Sequence, residues 1–181
     1  MTTPQTSAAQ TAPTAYQVGV FALVQQRDTY LIVRPVQPLL PGGTHSLPGA
    51  VLSDLSGMGI VEQTLRRALL SQVGLAVSDL RLVGSHAART STDITAGPGH
   101  PAAPAARLNL IFGTEYCSGI LSAQPEHFHS AEWLPREHLG EFSGVPEWLQ
   151  GAVREFETTI TPPSANAKPT GGASRLPWRR R

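Results

Sequence analysis

The stretch Ile60-Val61-Glu62-Gln63-Thr64-Leu65-Arg66-Arg67-Ala68-Leu69-Leu70-Ser71-Gln72-Val73-Gly74-Leu75 decides how the rest of the chain is read. Val61, Leu65, Leu69 and Val73 recur at one-turn spacing, which lays a single apolar stripe along a helix over 60–73. Gly74 ends that helix, because glycine enters the left-handed region without a Cβ penalty. Glu62 sits in the first turn, where the helix dipole favours an acid. Ala68, Ser71 and Gln72 are spaced to share a second face.

Upstream, Val18 to Val24 is apolar on both faces, as in a strand covered on both sides. A polar turn at 25–29 leads into Tyr30-Leu31-Ile32-Val33, so the two runs form a hairpin. Residues 35–50 carry Pro35, Pro38, Pro41 and Pro48 with Gly42, Gly43 and Gly49, and read as loop with a short extended piece at 44–47. Downstream, 80–84 reads as a strand and 91–106, rich in Thr, Ala, Gly and Pro, as an exposed loop. Over 108–116, Leu108, Leu110 and Phe112 alternate with Asn109, Ile111 and Glu115, the period of a strand. A short strand follows at 131–134. Pro146 suits the start of a last helix, with Trp148, Leu149, Ala152, Val153 and Phe156 on its apolar stripe. Strands flanked by two amphipathic helices give an α/β class, an α/β/α sandwich on a mixed sheet.

The 181 residues suit one domain, over 16–160, with tails at 1–15 and 161–181. Both tails are poor in large apolar groups, so they are expected to be disordered. The second ends Trp178-Arg179-Arg180-Arg181, a basic patch suited to solvent or an anionic partner. A net charge of +1 does not call for nucleic acid. No apolar run is long enough to span a bilayer. The opening residues lack the basic and apolar regions of a secretory signal. Cys117 is the only cysteine, which fits a reducing compartment. The expectation is a soluble cytoplasmic protein.

Three pieces occur in order: the hairpin followed by Gly43-Thr44-His45-Ser46-Leu47-Pro48-Gly49-Ala50, the helix ending Arg67 to Leu75, and Pro125-Glu126-His127-Phe128-His129-Ser130-Ala131-Glu132-Trp133-Leu134-Pro135. Together they resemble the Nudix hydrolase family. The family's signature is G-x5-E-x7-R-E-U-x-E-E-x-G-U, where U is a bulky aliphatic. Arg67, Leu69, Gly74 and Leu75 match it. Ala68, Ser71 and Gln72 stand where the signature has glutamates, and Gly59 stands at its upstream glutamate. The stretch from Leu47 to Arg67 is longer than the family's spacing, so the opening glycine is displaced to Gly49 or lost.

The resemblance implies a fold built to hold a divalent metal against a diphosphate. Mg²⁺ needs several oxygen ligands and gives up its water reluctantly. A methyl, a hydroxyl and an amide supply no anionic charge, so the metal site is expected to be lost and no cofactor is assigned. Mg²⁺ or Mn²⁺ enters only if another set of carboxylates rebuilds the site. Glu126 is the candidate for such a role, catalytic or metal-binding, with Glu132, Glu115 and Asp54 as weaker alternatives. Ligand-binding candidates are Arg67 and Arg66, whose guanidinium forks suit phosphate, together with Gly49 and Glu115. His45 stands where the family often has tryptophan and is expected to pack. His86, His127 and His129 lack a completing set of zinc ligands.

Three functional readings follow. One is a nucleotide-like or phosphorylated ligand held in a cleft that no longer hydrolyses. A second is a hydrolase of nucleoside diphosphate-linked substrates with a rebuilt metal site. A third is a regulatory module using the 91–106 loop and the basic tail. Members of the family often dimerise, so the resemblance also allows a homodimer.

Overall fold

The computed structural model describes residues 16–40, 42–52, 57–90 and 105–160. Both tails, Asp54 and most of the expected 91–106 loop lie outside them. The order is β1 (Tyr16–Gln26), β2 (Thr29–Pro35), β3 (Gly49–Val51), α1 (Ile60–Val73), β4 (Leu75–Val77), β5 (Arg81–Thr90), β6 (Ala105–Gly119), β7 (Phe128–Pro135) and α2 (Glu147–Ile160), with a 3-10 turn at Arg136–His138.

The strands form one mixed sheet, ordered β4-β6-β1-β2-β7, with β3 added to β1 and β5 to β6. The β1–β6 pair is parallel, in register from Tyr16 opposite Ala106 to Gln25 opposite Glu115. The hairpin of β1 and β2 is antiparallel, as its polar turn predicts.

Residues 20–24 of β1 are buried, because the strand runs through the centre with a helix on each face. Its alternation divides two cores. Val20, Ala22 and Val24 meet Leu65, Leu69 and Val73 of α1. Phe21 and Leu23 meet Leu149, Val153 and Phe156 of α2. Burying a side chain such as Leu149 or Phe156 is worth about 1.5–3 kcal/mol, and those on α2 are fully covered. Gly113 lets Phe156 seat on the sheet, since an added Cβ would lie 2.0 Å from its ring. The α/β/α sandwich is therefore the fold.

Some boundaries differ from the sequence expectation. β5 runs on to Thr90 and β6 begins at Ala105, so residues 105 and 106 belong to a strand. These two strands are held by their mutual ladder, where Thr-, Ala- and Gly-rich sequence alone reads as loop. β4 is too short to carry a period; it is defined by pairing with the end of β6. Gly74 is left-handed at φ 73° and caps α1 as expected. Gly59 is left-handed too, at φ 72°, and starts the same helix.

Candidate functional site

The site is built where β3, the last turn of α1 and the chain entering β7 meet. β3 lies directly on β1, with Gly49 opposite Phe21. Glycine is required there: a Cβ would stand 2.2 Å from the Val20 carbonyl oxygen. Gln72 reaches across from α1, and its Nε2 donates to the Gly49 carbonyl at 3.1 Å. The backbone carbonyl of Gln72 accepts from the Gln124 amide at 2.9 Å, and that of Val73 accepts from Ser122 at 3.1 Å. The segment before β7 is thereby tied to the helix end. A turn closed by His127 and Phe128 amides donating to the Gln124 carbonyl then carries Glu126 to the same place.

These elements enclose a cavity of about 230 Å³. Its walls include Phe21, Leu39, Leu47 and Phe128, with Gly49, Gln72, Ser46, Glu126 and His127 supplying polar groups. Gln72 and Ser46 are buried, whereas Glu126 and His127 are exposed at the rim. Gln72 Oε1 is covered and has no hydrogen-bond partner.

The three positions that read as neutral substitutions have separate fates. Ala68 is packed into the core. Ser71 is exposed and donates to its own helix, to the Ala68 carbonyl at 3.2 Å. Gln72 alone reaches the cavity.

Gly49 and Glu126 are brought together, as two of the candidates. Glu115 lines a different cavity, of about 210 Å³, with Ser78, Asp79, Arg81, Thr114 and Phe156. Arg66 lies on the exposed side of α1; its Nη1 donates to the Val77 carbonyl at 2.6 Å and its Nη2 is 3.9 Å from Asp79. Arg67 is exposed on the same helix. Neither arginine lines the Gly49 cavity. His45 packs edge-on against Phe142 with centroids 5.0 Å apart.

Sequence reading did not single out Asn109 as a buried polar group. Asn109 is completely buried on β6 with neither amide atom bonded, and its cross-strand neighbour His86 has an unbonded Nδ1. The available signal was one amide in the apolar run from Leu108 to Phe112.

A cavity of about 560 Å³ lies elsewhere, between the β2 and β7 ends and α2, beside Asp28, Arg136, Gln150 and Arg154. Near it the Tyr30 hydroxyl donates to Glu157 Oε1 at 3.0 Å, and Arg136 Nη2 donates to Glu157 Oε2 at 2.7 Å. Burial, then the hydrogen bond and the negative charge of Glu157, push the Tyr30 hydroxyl well above the usual tyrosine range.

No family model and no curated protein matches the chain. Solved structures of similar shape do. The MutT NUDIX hydrolase from Burkholderia pseudomallei is 18% identical and the match covers 81% of this chain and 98% of that one, at a TM-score of 0.53. The MutT protein from Methanosarcina mazei Go1 is 12% identical, covering 82% and 98%, at 0.58. This is the Nudix fold. The NUDIX domain of Shewanella oneidensis NrtR, in a structure complexed with ADP ribose, also shares it: 15% identity, 82% and 90% coverage, TM-score 0.55. Such likeness speaks for the architecture; the chemistry rests on the side chains present. Among the described residues no helix is long and apolar enough to cross a membrane.

Proposed function

We propose that this chain is a Nudix-fold ligand-binding protein whose cleft takes a nucleotide-like small molecule without the metal-dependent hydrolysis of the family it resembles. The observation that carries this reading is the Gln72–Gly49 hydrogen bond. A neutral amide joins the helix to the loop strand, at a place where the family signature has a carboxylate.

The donor set supports it. Among the described lining residues of the cavity, Glu126 is the one carboxylate, and it sits at the rim. No group of three or more His, Cys, Asp or Glu side chains gathers among the described residues. A hard divalent cation needs several oxygen ligands, usually including carboxylates, so these residues do not fit one. A Nudix domain of similar shape has been crystallised with ADP ribose, which supports a nucleotide-like ligand for this cleft.

Calorimetric titration with Mg²⁺ and Mn²⁺ tests the reading. No saturable binding at millimolar metal is expected. Tight binding with one or two ions per chain overturns it.

A second reading, a hydrolase with a rebuilt site, is favoured by one observation: Glu126 shares the cavity with Gly49 and Gln72. It requires metal-dependent turnover of a nucleoside diphosphate-linked substrate, abolished by Glu126→Gln. A substrate panel of dinucleotides, nucleotide sugars and triphosphates, assayed with both proteins, separates the two readings.

A further inference from the structure

We propose that the cavity of about 560 Å³ between α2 and the β1–β2 turn is a second binding site, for a small zwitterion with an ammonium and a carboxylate at opposite ends of an apolar body. It shares no lining residue with the cavity beside Gly49, so it stands whether or not that cavity takes a nucleotide-like ligand.

Opposite charges line opposite walls. One wall is α2, with Gln150, Val153 and Arg154. Gln150 and Arg154 are four residues apart and so share a face of the helix. Arg154 is exposed and makes no hydrogen bond or ion pair with another described residue. The other wall is the turn into β2 together with the segment after β7. There the Asp28 carboxylate is exposed and likewise unpaired among the described residues. Thr29 beside it donates its hydroxyl proton to the Gln26 carbonyl at 2.7 Å, so it can only accept from a ligand. Glu137, whose side chain is 81% exposed, adds a second carboxylate on that side.

Arg136 also lines the cavity, but its charge is matched inside the protein: Nε and Nη2 both engage the Glu157 carboxylate. Outside that pair, the described wall sets Arg154 against Asp28 and Glu137. A plain anion meets repulsion from the two carboxylates, and a plain cation meets it from Arg154. A zwitterion that turns its carboxylate to α2 and its ammonium to the β1–β2 turn meets neither.

Size and floor set the body of the ligand. Leu139 and Val153, both buried, and Pro135 give the cavity an apolar floor between the charged walls. Small-molecule pockets commonly measure about 300–1,000 Å³, and the volume here admits a dipeptide or an ω-amino acid. Because the charges stand on separate walls, the two ends of the ligand must be apart, as they are in both of these and are not in an α-amino acid.

The test titrates the full chain with leucylleucine, with N-acetyl-leucylleucine, which lacks the ammonium, and with leucylleucinamide, which lacks the carboxylate. Mildly acidic buffer keeps the free amines charged, and binding is followed by the backbone amide resonances of Leu139 and Val153. Leucylleucine is expected to bind about threefold or more tighter than either capped form, the scale of one exposed charge pair. Arg154→Gln is expected to erase its advantage over leucylleucinamide and to keep its advantage over the acetylated form. Asp28→Asn is expected to do the reverse. Both positions are exposed, so the variants keep the fold. A fourth probe, 6-aminohexanoate, separates the sources: affinity equal to that of the dipeptide assigns the site to ω-amino acids, and weaker binding assigns it to short peptides, each in support. Binding of none of these probes, a capped form equal to or tighter than leucylleucine, or a preference untouched by the two variants overturns the proposal.

Discussion

The two ends of the sheet handle polar groups in opposite ways. At the α1 end, beside β3, the buried polar atoms are neutral, and one of them, Gln72 Oε1, is unmatched. At the α2 end, Arg136, Glu157 and Tyr30 form a charged, mutually bonded group next to the cavity of about 560 Å³. Size and charge alone would choose the second as the site. Yet Arg136, Glu157 and Tyr30 satisfy one another, which is what a structural brace does. The smaller cavity brings Gly49, Gln72 and Glu126 together, the residues on which the functional reading rests.

The comparison can be broken most decisively at Gly49. Gly49→Val drives a side chain into the Val20 carbonyl, so β3 must leave β1 and one wall of the small cavity goes with it. Urea unfolding should show a loss of about 3 kcal/mol or more, in the range of severe overpacking. A variant of unchanged stability would mean that β3 does not approach β1 so closely.

Gln72→Leu comes next. It keeps apolar volume but strips the Gly49 carbonyl of its donor, and a loss of about 1–3 kcal/mol is expected for the orphaned acceptor, read by the same denaturation. A gain in stability would show that the amide is not needed to join α1 to β3.

At the other end the expected effects are smaller. Tyr30→Phe removes the hydroxyl that donates to Glu157, for a loss of about 1 kcal/mol near neutral pH. The sign of its pH dependence follows from the raised folded-state pKa. The folded state holds the phenolic proton more tightly than the unfolded chain, so this contribution is complete below the ordinary tyrosine value of about 10 and is lost as pH rises above it. Stability of the unsubstituted protein should therefore decline in alkali more steeply than that of Tyr30→Phe. Parallel alkaline curves would remove Tyr30 from the brace.

Asp79→Asn should do least. Its pair with Arg66 spans 3.9 Å between exposed side chains, and a change within about 0.5 kcal/mol is expected in thermal unfolding. A larger loss would show that Arg66 is held in place by charge as well as by the Val77 carbonyl.

Much of the architecture was legible because periodicity reports burial. The stripe of Val61, Leu65, Leu69 and Val73 marks α1, and the alternation from Leu108 to Phe112 marks the middle of β6. β4 and the far ends of β5 and β6 were not legible, since three residues carry no period and Ala- or Thr-rich strands lack an apolar signature. Of the site, Glu126 and Gly49 were named and do share a cavity, whereas Glu115 and the two arginines lie away from it.

What the sequence by itself determined was chemical: the side chains at 68, 71 and 72 bear no charge, whatever the fold does with them. What only the tertiary structure decided was their use. Packing buries Ala68 in the core, leaves Ser71 to its own helix, and brings Gln72 within hydrogen-bond distance of a carbonyl far back along the chain. Helical spacing specifies which residues share a face, but the strand that lies opposite that face is set by long-range pairing, which no local pattern encodes.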